Sequence, residues 1–522
     1  MTPLDYWIIG GYLLLVAGVS IAVALRQEST DDYYVAGRQL GGGYIAASIL
    51  ATQVSAVSLI GGPAFVALGG GLVWLQYELA IPLATIILIA VVVPVLRRGR
   101  FTTIYEYAGR RFGPTARLSL ALVFLIARAL ASGVVLYAVA LPLSLAFDLP
   151  LGWTLLGIGG FSVLYTTIGG IRADVFSDVL QLGVLVVALV VCAVAAADAM
   201  GGLGPALALV PPERTSVLVL NRHGLGDGTT FAFLPMLTGG FFLYVSYYGF
   251  DQSQAQRLLS TRDVRSSQQA LLLNGLLRFP LAALYCFLGL LLAAWLVYDP
   301  AFAAAHAGDR ADEIVPRFLM SFTPPGIRGL FIAGLFAAAM STLDSNFNSL
   351  SAVTLRDVMR RDREGHSLWL ARGLSLLWGL FCTGSAFFFA RSGETVIELV
   401  NRIGSLFYGP VMGLFLLGML NRSATERAGL IGLGAGLATV TAVWRLAPGV
   451  SWMWWNPIGF GLTFGIGWLL SRQSPRADVE PGLLWSRNAM TAGAEPLTGT
   501  WVALIGAFLF LVALSAALPA FL

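Results

Sequence analysis

Apolar residues in this chain do not alternate with polar ones. They run together for about 20 positions at a time, stop at short clusters of Gly, Pro, Asn and Arg, and resume. A helix of about 20 apolar residues covers a hydrocarbon core of ~30 Å, so each run predicts a membrane-spanning helix. The loop signals place such helices near 5–25, 44–68, 72–96, 115–146, 151–170, 173–200, 229–255, 267–298, 326–350, 367–390, 394–420, 427–447, 455–471 and 499–521. About 13–14 spans over residues 1–522 predict an all-α polytopic membrane protein, a single transmembrane domain without an appended soluble one. The first run ends in Ala22-Val23-Ala24, a triplet of the small-x-small type found at signal cleavage sites. It lacks a basic leader and exceeds an h-region of roughly 7–15 residues, so it reads as a span.

Composition agrees: 57% of the residues are hydrophobic, 11% are charged, and mean hydropathy is +0.79. All 32 basic residues are arginine, and the net charge of +4 offers no basis for nucleic-acid binding. Arginines cluster at Arg97/Arg98/Arg100 with Arg110/Arg111, at Arg257/Arg262/Arg265, at Arg356/Arg360/Arg361/Arg363, at Arg422/Arg427 and at Arg472/Arg476. The positive-inside rule puts these clusters in the cytoplasm of a plasma-membrane protein with both termini outside, which requires an even number of spans. The longest external loop is then 299–325 and the longest internal one 472–498. Cys192, Cys286 and Cys382 sit far apart in apolar runs and read as small core residues. His223, His306 and His366 fall in loops without Cys or paired carboxylates, which argues against zinc or haem.

Against this background "AAAMSTLDSN", residues 337–346, stands out. At 3.6 residues per turn Ser341, Asp344, Ser345 and Asn348 share one helix face, with Thr342 on its flank. An ionised Asp at the bilayer centre costs roughly 2.5–3.5 kcal/mol or more, so the stripe must meet protein, water or an ion. Hydroxyls beside one carboxylate suit a hard monovalent cation; helix-to-helix packing is the structural alternative. Asp178 and Gln181 lie one or two turns inside the span that follows Gly169-Gly170, where a salt bridge to a neighbouring arginine is the alternative to a functional role. Arg128 is halfway along its span and either pairs with Asp178, Asp251 or Glu78 or receives an anionic solute. Gln76 and Glu78 are hydrogen-bonders to solute or interface polars, while Arg278 with Asn274 and Arg402 with Asn401 read as snorkelling or packing groups.

Two spans are also interrupted. "ATQVSAVSLIGGPAF" sets Thr52, Gln53, Ser55 and Ser58 ahead of Gly61-Gly62-Pro63, and "LYVSYYGFDQSQ" places Ser246, Gly249 and Asp251 comparably five spans later. Interrupted spans at matching places in two halves point to an inverted-repeat transporter with its site at the midplane. Packing accounts for Gly-Gly-Pro equally well.

With "YYVAGRQLGG", "YTTIGGIRADVFSDVLQ", "GFDQSQAQRLLSTRD" and "AAAMSTLDSNFNSLSAVTLRD" taken together, the chain resembles the sodium:solute symporter family over essentially its whole length. The resemblance implies a leucine-transporter-type inverted 5+5 helix repeat, with halves near 44–200 and 229–420 and extra helices at 5–25, 427–447, 455–471 and 499–521. It implies a principal sodium site from the carbonyls of Ala51, Val54 and Ala338 and the hydroxyls of Ser341 and Thr342. A second cation site would use Asp178, Ser341, Asp344 and Ser345; Asp344 departs from the family's small hydroxyl residue and leaves sodium and a proton both open there. Similarity to the sialic-acid-transporting branch makes Ser55, Ser58, Gln76 and Arg128 the solute candidates, with Asp251 carried over from other branches. The expected activity is sodium-coupled import of a small organic solute by alternating access, leaning to a carboxylate such as sialic acid or a monocarboxylate. A neutral sugar or polyol is the runner-up, and a solute sensor without transport is the alternative of another class. Sodium is the expected coupling ion, with no organic cofactor, no enzymatic constellation, and a bilayer and a solute as partners; the sequence leaves the oligomeric state open, a functional monomer included.

Overall fold

The computed structural model describes residues 1–24, 29–360, 368–389, 396–472, 474, 479–480, 482–486 and 497–522. Arg361, Arg363, His366 and Arg476 lie outside the described residues. In chain order the principal helices are α1 (Pro3–Ala24), α2 (Gly42–Gln53), α3 (Ala56–Leu68), α4 (Gly71–Arg98), α5 (Ile104–Arg111), α6 (Pro114–Phe147) and α7 (Leu151–Ala199). They continue as α8 (Phe233–Phe250), α9 (Gln252–Leu259), α10 (Val264–Tyr298), α11 (Ala311–Phe322), α12 (Ile327–Val353) and α13 (Leu368–Phe389). The last five are α14 (Val396–Ser405), α15 (Tyr408–Leu420), α16 (Glu426–Leu446), α17 (Trp455–Ser471) and α18 (Thr498–Ala517).

Among the described residues, ten helices are long and apolar enough to cross a bilayer, and α2 with α3 forms a further pair bent by 55°. The remaining predicted spans, near 151–170, 229–255 and 455–471, are helical as well. Gly170, at φ 60° and ψ 178°, turns α7 from one span into the next. A Cβ there would meet the Tyr33 ring at 2.6 Å, so glycine is required both for the dihedral and for the contact.

The break between α2 and α3 falls at Val54 and Ser55, ahead of the Gly-Gly-Pro triplet. The triplet serves close approach: a Cβ on Gly61 would stand 2.9 Å from Ile397 Cβ, and one on Gly62 2.7 Å from the Tyr285 ring. Asp251 interrupts the α8–α9 span with an extended backbone, and its carboxylate caps α9 by accepting from the Ser253 amide at 3.0 Å. α12 packs along α7, α6 and α1, with α2 and α9 also against it, and is almost wholly buried.

Not every arginine of the basic clusters faces water. Arg97 donates to the carbonyls of Leu259 and Thr261 at 2.8 and 2.7 Å, and Arg111 to those of Gly418 and Ala424 at 2.9 and 3.0 Å. Leu259 and Gly418 offer orphan carbonyls in the last turn of α9 and α15, where the partial negative charge favours a cation, and Thr261 and Ala424 belong to the connections that follow.

Candidate functional site

The break at Val54 leaves the last carbonyls of α2 without helical donors. α12 answers them from across the interface: Ser341 Oγ donates to Ala51 O at 3.1 Å and Thr342 Oγ1 to Thr52 O at 2.9 Å. The same hydroxyls lie 3.2 and 3.3 Å from Ala338 O, and Thr52 Oγ1 donates to Ser341 O at 3.1 Å. Ala51, Ala338, Ser341 and Thr342 therefore converge at the negative end of α2, and Val54 lies at the break itself. Hard oxygen donors from a helix C-terminus and two hydroxyls, with no sulfur or imidazole, fit sodium better than a transition metal.

The four residues expected at a second cation site are distributed differently. A guanidinium, Arg257, is fully buried among them. It donates to Asp178 Oδ2 at 3.0 Å, to Ser48 Oγ and Ser253 O at 2.6 Å each, and to Thr52 and Ser345. Ser48 donates to the same Asp178 oxygen. Asp344 turns away, accepting from Thr166 Oγ1 at 2.8 Å with Oδ1 while Oδ2 has no partner among the described residues. Ser345 Oγ donates to Ser341 O at 2.8 Å. The salt bridge to an arginine is thus what Asp178 makes, and Arg257 is an interior residue rather than a member of the cytoplasmic cluster.

Beside the α2–α3 break a cavity of about 110 Å³ opens among α3, α4, α6, α8, α10 and α14. Ser55, Ser58 and Arg128 line it, and so do Thr52 and Thr342 of the cation cradle. Arg128 pairs with Asp251, donates to Tyr408 Oη at 3.2 Å, and sits 5.5 Å from the Tyr247 ring centre. Both of those hydrogen bonds leave from Nη2, and the buried Nε has no partner among the described residues. Gln76 is not brought to the cavity: its amide holds the segment between α7 and α8, accepting from the Val219 amide at 2.8 Å, and also donates to Val73 O at 3.2 Å.

Glu78 does line the cavity and receives Arg278 through Nε and Nη2 at 3.1 and 2.9 Å, together with Tyr244 Oη at 3.0 Å and Tyr285 Oη at 3.3 Å. Arg278 is therefore one half of a buried ion pair, not a snorkelling group. Sequence carried one signal for both missed arginines. An intramembrane carboxylate demands a cation, and Glu78 and Asp178 each needed one.

A model of the sodium:solute symporter family matches residues 33–436. The chain is 30% identical to the sodium-dependent multivitamin transporter of Oryctolagus cuniculus, over 84% of this chain and 70% of that one. It is 29% identical to sodium-coupled monocarboxylate transporter 1 of Homo sapiens, over 83% and 72%. Among solved structures, the substrate-bound outward-open form of a Na⁺-coupled sialic acid symporter superposes with a TM-score of 0.82 at 22% identity, covering 92% of this chain and 99% of that one. A nucleobase-cation-symport-1 family transporter in a closed conformation gives 0.58 at 17% identity, over 85% and 96%. These likenesses show a leucine-transporter-type fold.

Proposed function

Because the chain belongs to the sodium:solute symporter family, we propose that the solute it imports with sodium is a small carboxylate. The observation that carries this is Arg128, a cavity-lining guanidinium whose two described bonds both use Nη2 and whose Nε is unspent. A carboxylate is the group that a guanidinium fork fits best. The names of the monocarboxylate and sialic acid transporters among the similar proteins support an acid as well. One observation favours a neutral sugar or polyol instead: the ion pair with Asp251 already neutralises Arg128.

In this reading sodium occupies the set of Ala51, Val54, Ala338, Ser341 and Thr342. Thr52 and Thr342 face both that set and the cavity, so ion and solute share a wall built from the broken span and α12. Coupling then follows from differential affinity: sodium holds the break in the geometry that receives solute, and release of both accompanies opening on the other side. A potential of 100 mV adds about 2.3 kcal/mol per charge moved, roughly fifty-fold in accumulation. Asp344, through Oδ2, remains a further cation ligand in reserve.

The test is thermal stability of the purified chain with monocarboxylates, sialic acids, sugars and polyols, in sodium and in potassium. A ligand at about 100 times its Kd stabilises by ~2.7 kcal/mol. A shift by a carboxylate only in sodium, lost in Ser341→Ala/Thr342→Ala, supports the proposal. A shift by neutral solutes alone transfers it to the sugar reading, and no response to sodium at all removes the ion site.

A further inference from the structure

The helix α14 is a wall between two cavities. Its Ile397, Val400 and Asn401 face the central one, and its Glu398 and Arg402 face another of about 360 Å³ that shares no lining residue with it. The rest of the second lining comes from the end of α16, the start of α17 and the segments that precede α8 and α17. Because α16 starts beside Arg427 and ends at Leu446, this cavity lies one membrane crossing away from that arginine. Hydrogen bonds fix its rim: the Gly226 amide donates to Gly449 O at 3.0 Å, the Ser451 amide to Gly224 O at 2.8 Å and Ser451 Oγ to Thr230 O at 2.8 Å.

Three indoles line the space, Trp444, Trp452 and Trp455. The rings of Trp444 and Trp455 have centroids 6.4 Å apart and are inclined by 53°, an open corner rather than a stack. Tryptophans gather at membrane interfaces in any case, but Trp452 and Trp455 are only 7% and 4% exposed and so do not face lipid. A buried indole N–H ordinarily finds an acceptor. Trp74, Trp378, Trp454 and Trp485 each donate to a protein oxygen. None of the three cavity indoles does so among the described residues, and the hydroxyls of Thr229 and Thr230 in the same lining make no hydrogen bond there either.

Charge narrows the occupant. Glu398 and Arg402, one turn apart, contribute one acid and one base, each already engaged with a neighbouring group, so neither an anion nor a cation gains a net attraction. The Arg445 guanidinium lies over the Trp444 ring, 4.3 Å from its centroid, so an organic cation seeking that ring meets a like charge. Hydroxyl groups both donate and accept, and they match unspent N–H donors, threonine hydroxyls and an acid with a base, while the C–H face of a saturated ring packs on an indole. We propose that this cavity binds a neutral polyhydroxylated ring, the chemistry shared by a free sugar or cyclitol and by the headgroup of a glycolipid. The inference does not rest on the solute of the central cavity, because no residue of that cavity or of the sodium set lines this one. Binding here is therefore independent of sodium.

The experiment uses the full chain in phosphatidylcholine nanodiscs, free of sugar-based detergent, with methyl β-glucopyranoside and myo-inositol as soluble probes, and in nanodiscs containing a monoglucosyl diacylglycerol as the lipid arm. Isothermal titration in potassium and again in sodium, and native mass spectrometry of retained lipid, are the readouts. Saturable binding of equal strength in the two salts is expected. It should weaken by about tenfold or more in Trp444→Leu, which breaks no hydrogen bond among the described residues, and stay unchanged in Trp153→Leu, a side chain 70% exposed and outside the cavity. Trp452→Phe, which keeps a ring and removes one N–H, should weaken it too and keeps the test open if Trp444→Leu misfolds. Binding of the soluble probes assigns a free sugar or cyclitol, and selective retention of the glycolipid assigns its headgroup. Binding in neither arm, binding of propionate or choline in place of the ring compounds, a requirement for sodium, or loss in Ser55→Ala/Ser58→Ala but not in Trp444→Leu overturns the proposal.

Discussion

Replacing Arg257 by Gln removes the only cation that meets Asp178 within hydrogen-bond distance among the described residues. Five acceptors lose a donor at once: Asp178, Ser48, Thr52, Ser345 and the Ser253 carbonyl. Among the described residues Asp178 then keeps only the Ser48 hydroxyl, because its Oδ1 has no partner there even now. Removing one partner of a buried pair costs about 3–5 kcal/mol, since the other charge is left without compensation. A destabilisation of 1 kcal/mol moves Tm by roughly 2–4 °C in a 150–250-residue protein, and about half that in a chain twice as long. The expected loss is therefore about 3–10 °C, read by differential scanning fluorimetry at one fixed scan rate. Asp178→Asn in the same chain removes the orphaned charge, so Arg257→Gln/Asp178→Asn should recover ~2 kcal/mol or more of the summed single losses. Sodium-dependent stabilisation should weaken in Arg257→Gln as well, because Arg257 orients Thr52 beside the cradle. An unchanged Tm for Arg257→Gln, or strictly additive losses, would refute the view that this pair anchors the site.

Three further outcomes are expected. Arg128→Gln should weaken carboxylate binding by about 1.5–3 kcal/mol, the range for a charged hydrogen bond, while sparing neutral solutes; equal loss for both classes would make Arg128 structural. Asp312 on α11 is buried and accepts from the Val396 amide at 3.0 Å; burial pushes its carboxyl up from 3.8 to about 6, against the lowering effect of that hydrogen bond. The folded state thus holds this proton more tightly, so stability is greatest below about pH 4, falls by ~3 kcal/mol as pH rises to about 6, and is level above; the difference from Asp312→Asn isolates the slope. Gly62→Ala should cost about 1–3 kcal/mol and disturb the cavity, because its Cβ would stand 2.7 Å from the Tyr285 ring that lines it; full retention of Tm and solute binding would show that the ring yields freely.

Span positions were legible because hydrocarbon imposes a rule that acts locally: about 20 apolar residues in sequence, whatever they pack against. The break near Ser55 and the Ser341–Thr342 pair were legible for a related reason, since polar residues inside such a run need partners. Which partner was not legible. Gln76, three positions from Val73, had the chemistry of a solute ligand, but the first turns of α4 at 71–78 direct its amide to the Val219 backbone. Arg278 looked peripheral because the carboxylate it meets, Glu78, is 200 residues away.

By itself, then, the sequence determined that this chain crosses a membrane many times, that polar residues gather inside two of its spans, and that the 337–346 stretch carries a hydroxyl pair that lipid cannot face. Each follows from the cost of a polar group in lipid, which is paid residue by residue. The tertiary structure alone decided that Arg128 meets Asp251, that Arg257 meets Asp178 and that Arg278 meets Glu78. Several carboxylates and several guanidiniums satisfy the same local demand equally well, and only the packing of distant helices selects among the pairings.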